Sequence, residues 1–319
     1  MNETSPFSTV SAFGIGEIFE GFYLGFFNRY PDLDGLAYWK QRALETQNLN
    51  ITLNEFLSSD EYARIRTWQQ EKKQGLIDLL AANVSRPINV LDVGSILIED
   101  EKAIWDKLSK FCDLNVFGFD PQGENITQVI SGMKDLRISN FDSALGDGRA
   151  HTFYINNEIN TSSFYPILEN SDLHHLSTLK TVATRIIETH KLDDIQLPEW
   201  IDFFKIDVQG FELEILKHGV SKLDKTGLLH IEVTFNPIYE GQALFSEVDT
   251  FLRSMGFQLL DIFPFRYPHT GVGSQSSDFL VWGDALYRKI PASHESRSIQ
   301  NLILGTLFEK WNLAEFGNC

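Results

Sequence analysis

The chain has 319 residues, 43% of them hydrophobic and 13% aromatic, with a formal net charge of −17. That length allows one large domain or two unequal ones. So acidic a surface repels phosphate backbones and anionic head groups, which weighs against nucleic acid or a membrane as partner. The two cysteines, Cys112 and Cys319, sit in no C-x-x-C or histidine-rich setting, so neither a zinc site nor a disulfide framework is expected. Acidic residues in the segment from Met1 to Glu20 argue against a signal peptide. The apolar runs fall short of the roughly 20 residues a membrane helix needs, so a cytoplasmic protein is expected.

Up to about residue 66 apolar side chains recur at helical spacing: Phe19, Phe22, Tyr23 and Phe26, then Leu36, Tyr38, Trp39 and Ala43, then Phe56, Tyr62 and Ile65. Pro31 ends the first helix, and Asp34 is placed to cap the second, with Thr52 or Asn54 capping a third. A polar helix or linker follows through Gln69 to Lys73.

Beyond Pro87 strand and helix patterns alternate. Strands are predicted at Ile88–Val93, Asn115–Phe119, Arg137–Phe141, Phe203–Ile206 and Leu228–Phe235, with helices near 99–110, 211–218 and 245–255. The pattern implies an α/β fold, a mainly parallel sheet with helices on both faces, preceded by a small all-α domain. Gln258–Ile262 and Asp278–Trp282 are placed to form an antiparallel hairpin at one edge, and 297–313 reads as a terminal amphipathic helix. The resulting division is 1–70 helical, 71–86 linker helix, 87–290 α/β and 291–319 C-terminal tail.

Ligands of such sheets bind at the carboxyl ends of the strands. The first strand ends Asp92-Val93-Gly94, where glycine admits a close backbone approach. The second ends Phe119-Asp120-Pro121, and a carboxylate there can accept from both hydroxyls of a ribose. The missing G-x-G-x-x-G turn disfavours NAD or FAD, whose pyrophosphate needs it; S-adenosylmethionine carries no phosphate. The third strand leads into Asp142-Ser143-Ala144, suited to the edge of an adenine, although Gly146-Asp147-Gly148 explains part of this segment as a tight turn.

The densest cluster is Asp202-Phe203-Phe204-Lys205-Ile206-Asp207-Val208-Gln209-Gly210-Phe211-Glu212. Glu212 falls in the first turn of a helix, where its charge is favourable for structural reasons alone. Alternation turns Lys205 to the opposite side, to pair with an acid there. Glu232 lies inside an apolar strand, and a buried carboxylate is costly unless it is paired or functional. The adjacent His174 and His175 read as exposed side chains rather than metal ligands.

The run from Ile201 to Glu212, continued by Leu213-Glu214-Ile215-Leu216-Lys217, resembles the signature of FkbM-type methyltransferases. Gly118-Phe119-Asp120-Pro121, Ala144-Leu145-Gly146-Asp147, Thr161-Ser162-Ser163, Glu232 and Tyr239-Glu240-Gly241-Gln242 fit around it in order, and the resemblance covers about 87–290. It implies a class I, Rossmann-like S-adenosylmethionine-dependent methyltransferase, acting on a hydroxyl of a small molecule or glycan. Asp92, Gly94 and Ser95 would hold the methionine portion, Asp120 the ribose, and Asp142, Ser143 and Ala144 the adenine. Asp207, Gln209, Glu212 and Glu232 form the catalytic group, with a carboxylate as base; the spacing demands no metal. Two positions depart from the pattern: Ile98 stands where a glycine is common, and Gln209 where Glu is usual. A bulky loop at Ile98 would suit the competing reading, a methyltransferase-fold scaffold without catalysis, but the strand-end acids at 120, 207 and 232 favour the enzyme.

The N-terminal run from Phe22 to Trp39, with Phe56-Leu57-Ser58-Ser59-Asp60-Glu61-Tyr62, resembles a small helical domain of unknown function that is similar to phycobilisome linker domains. That resemblance implies a bacterial origin and docking to a protein partner.

Overall fold

The computed structural model describes residues 12–24, 30–94, 103–121, 136–141, 143–168, 179–267 and 279–311. Predictions at Ser95 to Ile98, Asp142, His174, His175 and Cys319 lie outside them. The chain divides into two compact units, Met1–Leu76 and Ile77–Cys319.

The first unit contains α1 (Ala12–Phe22), α2 (Leu33–Thr46), α3 (Leu49–Leu57) and the first part of α4 (Asp60–Ala82). Its core is aromatic. Phe19 stacks on Trp39 with ring centroids 5.9 Å apart, and Phe56 is fully buried against both. The caps fall elsewhere than predicted. Asp32, in extended backbone just ahead of α2, accepts from the Gly35 amide at 2.7 Å, whereas Asp34 already lies inside the helix. Asn48 caps α3 by accepting from the Asn50 and Ile51 amides, and Thr52 and Asn54 are inside it. The polar run 69–73 is no break, since Gln, Glu and Lys are good helix formers and α4 runs straight through them.

The second unit is built on a seven-stranded sheet of order β3-β2-β1-β7-β8-β10-β9. Its strands are β1 (Ile88–Val93), β2 (Leu114–Phe119), β3 (Leu136–Phe141), β7 (Ile201–Ile206), β8 (Thr226–Thr234), β9 (Gln258–Tyr267) and β10 (Phe279–Arg288). β1, β2, β3, β7 and β8 are parallel; β10 runs antiparallel between β8 and β9. All six residues of β1 are buried, as expected for a central strand covered on both faces. The β9–β10 hairpin forms as expected but is about twice as long as the sequence pattern indicated, ten residues in each strand.

Helices Glu212–Lys217 (α5), Val220–Asp224 (α6), Phe245–Ser254 (α7) and His294–Phe308 (α8) join or flank the strands. Within the predicted helix 99–110 the described residues form a 3-10 helix, Ile104–Lys110. A second sheet, not foreseen, consists of β4 (Ala144–Leu145), β5 (Ala150–Asn156) and β6 (Thr181–His190) in the order β4-β6-β5. No helix among the described residues is long and apolar enough to cross a membrane.

The chain steps outward from β1 through β2 to β3, then returns to the other side of β1 as β7. Strand order therefore reverses between β1 and β7, which is where an open α/β sheet leaves a crevice at its carboxyl edge.

Candidate active site

A cavity of about 670 Å3 opens at that edge, lined by Asp92, Gly94, Asp120, Ser143, Lys205, Asp207, Gln209 and Glu232 among others. One wall comes from the ends of β1 and β2. Gly94 has φ +76, and a Cβ built on it would stand 1.7 Å from the Asp207 carbonyl oxygen, so only glycine lets these two chain segments meet. The Gly94 amide donates to the Phe119 carbonyl at 2.9 Å, and its own carbonyl accepts from Lys205 Nζ at 2.9 Å. Asp92 is buried. Its Oδ2 accepts from Trp105 Nε1 at 2.8 Å, while Oδ1 has no hydrogen-bond donor among the described residues and lies 3.7 Å from Lys205 Nζ. Burial pushes its carboxyl above the ordinary range, against the pull of Lys205 and Trp105. Asp120 is buried at the end of β2 and also lines the cavity.

The opposite wall is crowded with acids. Lys205 is register neighbour to Asp92 on one side and His230 on the other. Its Nζ lies 3.6 Å from Asp207 Oδ2. Burial alone would lower the Lys205 pKa, but Asp207, Asp92, Glu232 and Asp284 outweigh it and the ammonium is held charged. Gln209 adopts a left-handed backbone, φ 59, with its carbonyl fixed by the Ser163 hydroxyl at 2.6 Å. Its Nε2 donates to Asp207 Oδ1 at 2.9 Å and to Glu232 Oε2 at 3.1 Å, while its Oε1 faces the Tyr239 hydroxyl at 3.0 Å. An amide at this position therefore joins two carboxylates that would otherwise repel.

Glu212, at the start of α5, turns back to accept from the Val208 amide at 2.8 Å and the Gly210 amide at 3.2 Å. It is buried behind the lining, and burial raises it to about 7 despite those donors. Glu232 is pushed well above the usual carboxylate range, by burial first and then by Asp207, Glu212 and Asp284. Asp284, directly opposite Glu232 across the β8–β10 pair, is raised to about 6, by burial and then by Asp207, with Lys205 opposing. His230 is driven down to about 4 by burial and by Lys205, so it is neutral at pH 7.

The structure thus brings Asp92, Gly94, Asp120, Ser143, Ala144, Asp207, Gln209 and Glu232 to one cavity, with Glu212 behind it. Lys205 departs from its expected position: it pairs with acids, but within the site rather than across the sheet, because Asp207 lies just past the strand end on the same side. The first acid of the signature, Asp202, sits at the far end of β7 in a paired contact with Arg86 at 2.7 and 2.8 Å, a structural role. Thr161 and Ser162 line the cavity, and Ser163 instead holds the Gln209 carbonyl. Sequence reasoning missed Asp284 and Trp105, and named Tyr239 only within the matching run Tyr239-Glu240-Gly241-Gln242, without a role. Asp207, Glu212 and Glu232 each bring one carboxylate oxygen within 4.8 Å of the other two, a spacing that could take a cation, although Gln209 Nε2 already occupies the space between Asp207 and Glu232.

Residues 104–259 match the model of the methyltransferase FkbM domain. That span is similar to the FkbM methyltransferase domain. β1 and Gly94 lie ahead of the matched span. No curated protein matches the sequence. Three solved structures are similar at low identity. The magnesium protoporphyrin IX methyltransferase of Synechocystis, with S-adenosylmethionine bound, is 12% identical, with 72% of this chain and 83% of that one covered and a TM-score of 0.33. A putative tRNA (m1A22) methyltransferase of Streptococcus pneumoniae, in complex with S-adenosylmethionine, is 10% identical over 76% and 97%, with a TM-score of 0.32. A 23S rRNA methyltransferase is 8% identical over 73% and 81%, with a TM-score of 0.32. Likenesses this loose decide nothing about acceptor chemistry.

Proposed function

We propose that this chain is an S-adenosylmethionine-dependent methyltransferase of the FkbM type, and that it transfers the methyl group to a hydroxyl of a small molecule or glycan. The observation that carries the reading is one cavity joining the strand-end acids Asp92 and Asp120 to the carboxylates of β7, β8 and β10. Its volume, about 670 Å3, falls within the range of sites for ligands of the donor's size. The buried Asp92 Oδ1, without a hydrogen-bond donor among the described residues, fits the ammonium of the donor's methionine end. Asp120 would take the ribose hydroxyls, Gly94 would admit the methionine backbone, and Ser143 with Ala144 would border the adenine. When bound, S-adenosylmethionine supplies an electrophilic methyl carbon on a sulfonium. The protein's own work is to hold the acceptor oxygen in line with it and to take the hydroxyl proton. The carboxylates grouped around Lys205 and Gln209 provide that acceptor for the proton, with Glu212 bracing the loop after β7 that carries Gln209.

The charge of −17 favours an acceptor that is not nucleic acid. The N-terminal helical unit, taken as residues 1–70 with 71–86 as a linker, would dock a protein partner.

Isothermal titration with S-adenosylhomocysteine, followed by transfer from methyl-tritiated S-adenosylmethionine to a panel of alcohols, sugars and amines, tests the reading. Micromolar binding and a base-stable methyl ether support it. Label found only on amine nitrogen would overturn the hydroxyl assignment. A folded protein that binds no S-adenosylhomocysteine would remove the enzyme reading and leave a scaffold.

A further inference from the structure

The carboxylates around Lys205 are not equivalent. Asp92 accepts from Trp105, Asp207 and Glu232 both accept from the Gln209 amide, and Glu212 is held by two backbone amides. Asp284 differs. Its nearest partner among the described residues is His230 Nε2 at 4.0 Å, too far for a hydrogen bond, and its side chain remains 32% exposed in the cavity wall.

The strand it stands on gives it company. Trp282, two residues earlier and on the same face of β10, stacks on Phe265 of β9 with centroids 5.7 Å apart and planes 19° from parallel. Phe265 is half exposed, and both rings line the cavity. Opposite Asp284 in the β8–β10 register is Glu232, and two carboxylates directly across a sheet repel. An arrangement that costs stability and leaves one acid without a donor suits a group kept free for a ligand.

We propose that Asp284 is the proton acceptor for the substrate hydroxyl, and that the Phe265–Trp282 pair is the surface on which the ring bearing that hydroxyl lies. The inference rests on the O-methyltransferase reading and specifies its acceptor as a ring-borne hydroxyl. The acceptor O–H bond breaks with its proton passing to the Asp284 carboxylate. The acceptor oxygen forms its bond to the methyl carbon as the S–C bond breaks, and the bonding pair stays on sulfur, giving S-adenosylhomocysteine and a methyl ether. The protonated Asp284 returns its proton to solvent through the open cavity.

The groups facing Asp284 are Glu232 and His230 on β8, Lys205 on β7 with Asp207 just past it, and the uncharged Phe263 on β9. Burial raises Asp284 only to about 6, so it is ionised at neutral pH. A base near the working pH is the efficient one.

The test is Asp284→Asn in the full chain, assayed with methyl-tritiated S-adenosylmethionine and a panel of methyl glucoside, methyl rhamnoside, catechol and cyclohexanol. The wild-type kcat should fall on the acid side with an apparent pKa near 6. The variant should lose roughly 10²- to 10⁴-fold in kcat together with that acid limb, while its affinity for S-adenosylhomocysteine stays within about twofold (the behaviour of a site spared at its donor end). Turnover of the sugars against the phenol and the alicyclic alcohol separates the possible ring classes. An Asp284→Asn protein with near-wild-type kcat and the acid limb intact overturns the inference and leaves the O-methyltransferase reading standing. A wild-type protein that binds S-adenosylhomocysteine but methylates none of the four removes the ring-hydroxyl inference, and one that binds none removes both. Should the Asn variant fail to fold, Asp284→Glu keeps the carboxylate and must retain the acid limb at reduced kcat; its loss would also count against the assignment.

Discussion

The two walls of the cavity are built on opposite electrostatic plans. On the wall formed by the ends of β1 and β2 there is one acid per strand end: Asp92 against Trp105, Asp120 at the end of β2. On the far side Asp207, Glu212, Glu232 and Asp284 crowd around one ammonium and one amide. Single, fixed acids are suited to binding, since each can be matched to one feature of a ligand. Crowded acids are suited to proton transfer, since a buried carboxylate beside others gives up its proton less readily, as Glu212, Glu232 and Asp284 show. Lys205 is the shared element, reaching Gly94 and Asp92 on one wall and Asp207 on the other.

Removing that shared element should have the largest effect. Lys205→Met leaves Asp92 and Asp207 without their cation, and breaking a buried pair by deleting one partner costs about 3–5 kcal/mol. Denaturant unfolding at pH 7 measures it, and part of the loss should return at pH 5 as the carboxyls take protons. A loss under about 1 kcal/mol would show that the two walls are not electrostatically joined. Gly94→Ala comes next. The left-handed backbone alone costs about 1–3 kcal/mol for a residue with a Cβ, and the collision with the Asp207 carbonyl adds to it. Both walls should then lose function together, seen as a fall in Tm and in S-adenosylhomocysteine affinity.

What the sequence disclosed follows the same division. A buried strand that ends in an acid or glycine is a one-dimensional signal, and Asp92, Gly94, Asp120 and Asp207 were all visible that way. Asp284 was not, because β10 was expected to stop at Trp282, two residues short of it. The argument that singled out Glu232, a carboxylate within an apolar run, applies equally to Trp282-Gly283-Asp284-Ala285-Leu286 and would have found it. Trp105 and Tyr239 reach the site from elements outside the parallel strands, and nothing in their local spacing announces the contact. The small second sheet escaped for another reason. Most of β6 is exposed, so it lacks the apolar alternation that marks a half-buried strand, and only its β-branched content pointed to one.

A donor-side change should spare the acid wall. Asp120→Ala should weaken S-adenosylhomocysteine binding by about 10- to 100-fold, the worth of hydrogen bonds to a charged group. The pH dependence of turnover should stay where it was. A shifted acid limb in this variant would mean that the two walls titrate as one.

The most gradual effect is a slope. Burial holds Glu212 near 7 against an ordinary 4.5, so between those values the folded protein keeps a proton that the unfolded chain has lost. The folded state then binds more protons, and stability contributed by this group is present below about 4.5 and is lost as pH rises toward 7. Glu212→Gln retains an oxygen for the Val208 and Gly210 amides but has no proton to lose. Its stability relative to wild type should therefore improve by up to about 3 kcal/mol between pH 4 and pH 8, measured by urea unfolding at each pH. A difference that stays flat would mean that the two backbone amides keep Glu212 ionised throughout. The crowding of the acid wall would then fall on Glu232 and Asp284 alone.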